Sequence, residues 1–113
     1  MSALHQKTCT ACDGSDPALR AKEANELIRE VPDWSIIERN GVLQLERVFR
    51  FKNFRHALAF TQKVGELAEE ANHHPAILTE WGQVTVTWWT HSICGLHRND
   101  FIMAAKTSKL ASA

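Results

Sequence analysis

The stretch from Asn53 to Pro75 constrains the fold more than any other. Phe54, Ala57, Phe60, Val64, Leu67, Ala68 and Ala71 recur at the three- and four-residue spacing that lines one side of an α-helix. Asn53 suits the N-cap, because a short polar side chain accepts from the first unpaired N–H groups, and Pro75 forbids continuation of the helix. A helix with so wide an apolar stripe must bury it against another layer. The segments on either side supply that layer.

Before the helix, Trp34 to Arg39 and Val42 to Phe51 flank Asn40-Gly41, the pair that most readily takes the positive φ angles of a two-residue hairpin turn. In the second run Leu43, Leu45, Phe49 and Phe51 share one face, Gln44, Glu46 and Arg50 share the other with Val42 and Val48, and Arg47 interrupts the apolar side. After the helix, Ala76 to Trp81 and Gln83 to Thr90 form a second strand pair around Gly82, with Val84, Val86 and Trp88 alternating against Thr85, Thr87 and Trp89, and His91 continuing the latter face. A shorter helix precedes the hairpins, from Pro17 with Ser15 or Asp16 as cap to a stop at Pro32. Another follows them, roughly Arg98 to Leu110, capped by His97 or Asn99. The expected fold is α+β and two-layered: a four-stranded antiparallel sheet with three helices on one face, in the order α-β-β-α-β-β-α.

The domain is expected over residues 17–113, behind a polar tail of residues 1–16 that lacks periodicity. A chain of 113 residues can bury roughly two-thirds of its unfolded surface in one core and has no room for a separate cofactor-binding domain. Thirteen Lys and Arg against thirteen Asp and Glu leave no net charge, so the long-range pull on phosphate backbones is absent and nucleic acid is not an expected partner. No apolar run reaches bilayer length, and the first residues lack the basic and apolar pattern of a signal peptide, so no membrane association and a cytoplasmic location are expected. Three cysteines, Cys9, Cys12 and Cys94, are too few for a disulfide scaffold.

The chemistry concentrates in Glu69-Glu70-Ala71-Asn72-His73-His74-Pro75. Histidine titrates near neutrality, a neighbouring carboxylate can orient an imidazole and raise its basicity, and helical spacing would bring Glu69 to His73. The bland alternative is that two histidines merely end a helix, where imidazolium interacts well with the last carbonyls. His91 at the end of the last strand, Asp100 at the start of the last helix and Trp81 between the histidine pair and His91 in sequence favour convergence on one cleft.

The string Glu69-x3-His73-His74-Pro75-x5-Trp81-x9-His91-x8-Asp100 resembles the signature of the pterin-4a-carbinolamine dehydratases, also called 4a-hydroxytetrahydrobiopterin dehydratases. The likeness continues through Asp33-Trp34, Phe49-Arg50-Phe51-x2-Phe54, Thr90-His91 and Gly95-Leu96, and covers roughly residues 17 to 110. Two departures are Asn72, where some relatives carry Asp, and His97, where Thr or Ser often caps the last helix.

The resemblance implies an α+β domain and a hydro-lyase reaction: loss of water from 4a-hydroxytetrahydropterin to give quinonoid dihydropterin, which recycles the cofactor of aromatic amino acid hydroxylases. No cofactor and no metal are implied. The implied catalytic set is His73, His74, His91, Glu69 and Asp100. His73 and His91 exchange protons with substrate, and His74, Glu69, Asn72, Trp81 and Thr90 contact the pterin. The resemblance also implies a homo-tetramer built as a dimer of dimers and a functional link to an aromatic amino acid hydroxylase.

Other readings compete. The His and Glu cluster is also a ligand set for zinc or non-haem iron in a metal-dependent hydrolase, although adjacent histidines suit such a site less well than a three- or four-residue spacing. His5, Cys9 and Cys12 make at most half of a second metal site. Arg47 to Arg55 interleaves cations with aromatics as single-strand binders do, but it also reads as an amphipathic strand entering a helix. Trp81, Trp88 and Trp89 read as core before they read as stacking walls. Animal relatives also serve as dimerisation cofactors of a homeodomain transcription factor, so a protein-binding module is the alternative to an enzyme. A module that only bound protein would not need the histidine and carboxylate set.

Overall fold

The computed structural model describes residues 19–112. Three helices, α1 (Ala21–Leu27), α2 (Phe54–Ala71) and α3 (Arg98–Ser112), alternate with the strands β1 (Ser35–Arg39), β2 (Val42–Arg50), β3 (Ala76–Glu80) and β4 (Gln83–Trp88). The order is the expected α-β-β-α-β-β-α, with 3-10 turns at Ile28–Glu30 and His91–Ile93. The strands form one antiparallel sheet in the order β1-β2-β4-β3. The expected tail, the candidate cap residues Ser15 and Asp16, and Pro17 lie outside the described residues, as do His5, Cys9 and Cys12.

The first hairpin closes as its turn residues dictate. Arg39 faces Val42, and the two residues between them, Asn40 and Gly41, have φ of 53° and 78°. Both angles lie in the region that Asn and Gly tolerate best. At the second hairpin the backbone itself explains the glycine: Gly82 O accepts from Phe51 N–H at 2.8 Å, and a Cβ on Gly82 would stand 3.2 Å from Phe51 O. This close approach ties the second hairpin tip to the end of β2.

The helices cover one face of the sheet. Leu45 and Phe49 of β2 and Val84, Val86 and Trp88 of β4 are buried there against Phe60 and Val64 of α2 and Phe101 of α3, with Ala24 of α1 in the same core. Each fully buried aliphatic or aromatic side chain of this kind contributes about 1.5–3 kcal/mol. Arg47, the interruption in the apolar face, is accommodated at the margin. Its guanidinium lies 4.3 Å over the Phe49 ring and donates to Ser108 Oγ of α3 at 2.9 Å, while Trp34 Nε1 donates to the same oxygen at 2.8 Å. With Phe49 in the core and Arg50 bonded to Gln83, Arg47 to Arg55 is an amphipathic strand entering a helix. Among the described residues no helix is long and apolar enough to cross a membrane.

Three local expectations are corrected. The first helix is expected from Pro17, but among the described residues it begins at Ala21: Leu19 N–H is bound to Leu96 O at 2.8 Å, Arg20 N–H is bound to Glu23 Oε1 at 3.1 Å, and Arg20 itself is extended. Helix α2 stops before Pro75 can stop it. Asn72 adopts φ of 52°, its N–H reaches Glu69 O at 3.2 Å, and His73 N–H reaches Ala68 O at 3.1 Å, the paired bonds of a left-handed C-cap. His73 and His74 therefore stand outside the helix. The last strand ends at Trp88, and His91 opens a 3-10 turn instead of continuing the strand.

Candidate active site

Four segments meet at one end of the sheet: the chain after α2, the residues after β4, the loop closed by pairing of Thr90 with Gly95, and the N-terminus of α3. Asp100 is the centre of this meeting. It is the third residue of α3 and completely buried, and it has three donors. Its Oδ2 accepts from Thr90 Oγ1 and from His97 N–H, each at 2.8 Å, and its Oδ1 stands 2.6 Å from His73 Nε2. The bond from His97 N–H is one half of a capping box. His97 Nδ1 in turn accepts from Asn99 N–H at 3.0 Å, an N-cap bond to the second residue of the helix, so His97 fills the cap role where a hydroxyl is more usual.

The side chain of His73 is 12% exposed. Asp100 has no proton to give while ionised, so the hydrogen of the short bond sits on Nε2 and Nδ1 is left as the working nitrogen. Among the described residues Nδ1 has no hydrogen-bond partner. One face of the ring is covered by Trp88, whose indole stacks on it with centroids 5.5 Å apart and planes 13° apart. The arrangement is an imidazole oriented by a buried carboxylate with one nitrogen reserved, which is how a general acid or base is held.

His74 turns the other way and forms a short ion-pair contact with Glu69 Oε2. The two side chains are 55% and 78% exposed. The sequence expectation that Glu69 orients His73 is thus corrected, because the left-handed residue Asn72 swings His73 off the helix face and leaves His74 above Glu69. Asn72 is exposed and lies between the two pairs. A groove of about 690 Å³ between α2 and β3, lined by Thr61, Glu66, Glu69, Glu70 and Ile77 among others, reaches the exposed pair. That volume is within the range of small-molecule sites. A second cavity of about 460 Å³, between Trp34, Arg47 and the C-terminal half of α3, is lined by none of these groups.

His91 is exposed and its ring packs on Trp89 at 4.4 Å. It makes no bond to His73, His74, Glu69 or Asp100, but it follows Thr90, whose hydroxyl holds Asp100. Trp81 does not join the group within one chain. It is 70% exposed at the tip of the second hairpin, and the whole length of β4 separates it from Thr90. Sequence reasoning missed the support that His97 gives Asp100 and the contact of Trp88 with His73. The three-residue spacing from His97 to Asp100 was a readable cap signal, whereas nothing in the spacing of Trp88 marked it out. Among the described residues no three of His, Cys, Asp and Glu stand close enough to hold one ion.

Comparison with known proteins agrees with the fold. The chain is similar to the transcriptional coactivator/pterin dehydratase of Brucella melitensis, with 33% identity and a TM-score of 0.76 over 83% of this chain and 98% of that one. It shares its fold with a pterin dehydratase-like protein that is a RuBisCO assembly factor in the alpha-carboxysome, at 22% identity and a TM-score of 0.61 over 72% of this chain and 92% of that one. The family model for pterin 4 alpha carbinolamine dehydratase matches residues 17–110, which takes in every strand, α1, α2, all but the last two residues of α3 and both histidine and carboxylate pairs. By that match the chain belongs to the pterin 4 alpha carbinolamine dehydratase family.

Proposed function

We propose that this protein is a hydro-lyase that removes water from 4a-hydroxytetrahydropterin and releases quinonoid dihydropterin. The C4a hydroxyl leaves only once it has received a proton; as the C–O bond breaks, a ring nitrogen supplies its electron pair and gives up its own proton. One proton enters and one departs, so two positioned imidazoles suffice. His73 exchanges a proton through Nδ1 and His91 serves the second transfer. His74, Glu69 and Asn72 hold the pterin, with the Glu69 carboxylate accepting from its amino-pyrimidinone edge, whereas Thr90, expected to contact the pterin, is buried and acts by holding Asp100. Trp81 contributes to this set only if another copy of the chain brings it there.

The observation that carries the reading is the nearly buried His73 held by Asp100. Turnover of a chemically generated 4a-hydroxytetrahydropterin is the test. Conversion far above the spontaneous rate is expected, and conversion at the spontaneous rate would overturn the reading. Treatment with a strong chelator is expected to leave turnover unchanged.

Within the same proposal the enzyme works in the cytoplasm, recycles the cofactor of an aromatic amino acid hydroxylase and is a homo-tetramer built as a dimer of dimers. Support for self-association comes from β1 and β3, which are the sheet edges, and from Phe54 and Leu58, apolar residues exposed one turn apart on α2. Light scattering at micromolar concentration would show a single 12.8 kDa chain if this is wrong. A protein-binding role is a second reading, favoured by the coactivator description of the Brucella melitensis relative. Partner binding that survives loss of His73 would mark it as separate from the chemistry.

A further inference from the structure

Trp88 is the last residue of β4, completely buried, and its indole has two engagements, one through the ring face and one through Nε1. One is the stack on His73. The other is a hydrogen bond: Trp88 Nε1–H donates to Thr107 Oγ1 at 3.1 Å, and Thr107 Oγ1–H donates in turn to Met103 O at 2.7 Å. Thr107 lies two helical turns beyond Asp100 on α3 and is itself fully buried. It accepts one bond and donates one, so its hydroxyl is oriented by the helix backbone and the indole is oriented by the hydroxyl.

A buried indole can rotate about χ2 between two broad orientations, and apolar packing alone discriminates weakly between shapes of equal volume. A directional N–H bond removes that freedom. The plane so set is the plane on which His73 lies, while Asp100 fixes the same imidazole edge-on through Nε2. Helix α3 thus holds His73 in two dimensions, by Asp100 in the ring plane and by Thr107 acting through Trp88 perpendicular to it.

From this geometry we infer that Thr107 and Trp88 are positioning residues for His73, and that the Thr107 hydroxyl, remote from any substrate contact, sets the direction of Nδ1. The inference rests on the reading of His73 as the proton-transfer group, and its test has an arm that does not require turnover. The ring protons of His73 lie over the indole and are expected at unusually low frequency in the proton NMR spectrum of the intact protein. Thr107→Val keeps the volume and removes the acceptor. It is expected to weaken that ring-current shift and to lower kcat about tenfold, as a small misplacement of a reacting group does, with KM unchanged. Thr107→Ser restores the hydroxyl and is expected to restore both.

Should Thr107→Val fail to fold, Trp88→Phe retains a ring without the N–H and is expected to show the same pattern of lowered kcat at constant KM. An unchanged His73 shift with unchanged kcat in either variant would overturn the inference. An equal loss in Thr107→Ser would do so too, because it would assign the effect to packing. Absence of dehydratase turnover in the wild-type protein would remove the family reaction, while the shift and its dependence on Thr107 would still report whether the indole is tethered.

Discussion

His73 and His74 are consecutive residues, each facing a carboxylate, and their environments are opposite. The His73 and Asp100 side chains are 12% and 0% exposed, whereas His74 and Glu69 are 55% and 78% exposed. Asp100 is held by two further donors and caps α3, while the Glu69 carboxylate has no other hydrogen bond among the described residues. The first pair is therefore part of the fold, and removing either member leaves buried polar groups without partners. The second is an exposed ion pair of the kind worth about 0–1 kcal/mol and screened by salt. Position in the chain says nothing of this difference; what surrounds each ring decides it. A rigid, shielded imidazole suits proton transfer, and an adaptable, solvated pair suits contact with a polar ligand edge.

The sharpest way to break the comparison is Asp100→Ala. It orphans Thr90 Oγ1, His97 N–H and His73 Nε2 together, so a loss of about 3–5 kcal/mol in urea unfolding is expected, with turnover lost alongside. An unfolding midpoint near that of the wild type would show that the buried pair is not structural. Asp100→Asn keeps the volume and part of the bonding, and the expected cost falls to about 1–3 kcal/mol.

His73→Ala separates chemistry from stability. Dehydration is expected to slow by about 10²-fold or more, as loss of a positioned acid or base does, in a protein that still folds. His91→Ala is expected to match it in rate but to leave the unfolding midpoint in place, since His91 is exposed. Wild-type turnover in both variants would remove the proposed roles.

Glu69→Gln tests the exposed pair. Stability is expected to change by no more than about 0.5 kcal/mol, and the effect on catalysis is expected in KM, a few-fold at most, with kcat retained. A collapse of kcat equal to that of His73→Ala would make the two pairs equivalent and sink the distinction. Asn72→Ala tests the residue that parts the two histidines, through stability alone. A non-glycine, non-asparagine side chain at φ of 52° is expected to cost about 1 kcal/mol of stability, read from urea unfolding, and Asn72→Gly close to none.

Much of the architecture was legible because it rests on local signals. Asn53 does cap α2, accepting His56 N–H at 2.9 Å, and Asn40-Gly41 does turn the first hairpin. The alternation of Val84, Val86 and Trp88 placed them on the buried face. Helix ends were less legible. Pro75 marks where a helix can no longer run, whereas Asn72 marks where it stopped, and the sequence holds both signals without ranking them. At the N-terminal side the start of α1 depends on the Leu19 bond to Leu96, a partner more than seventy residues away.

The chain by itself determined the alternation of two hairpins with three helices, the buried faces and the family signature, because turn preferences, period and capping act between residues a few positions apart. Only the tertiary structure decided which carboxylate serves which histidine. Helical spacing favoured Glu69 for His73, but a single left-handed residue redirected the chain, and the fold then brought Asp100 from twenty-seven positions away into a buried pocket with Thr90 and His97. Such a pairing is set by burial and by the satisfaction of every polar group in the pocket, quantities that exist only once distant segments have packed.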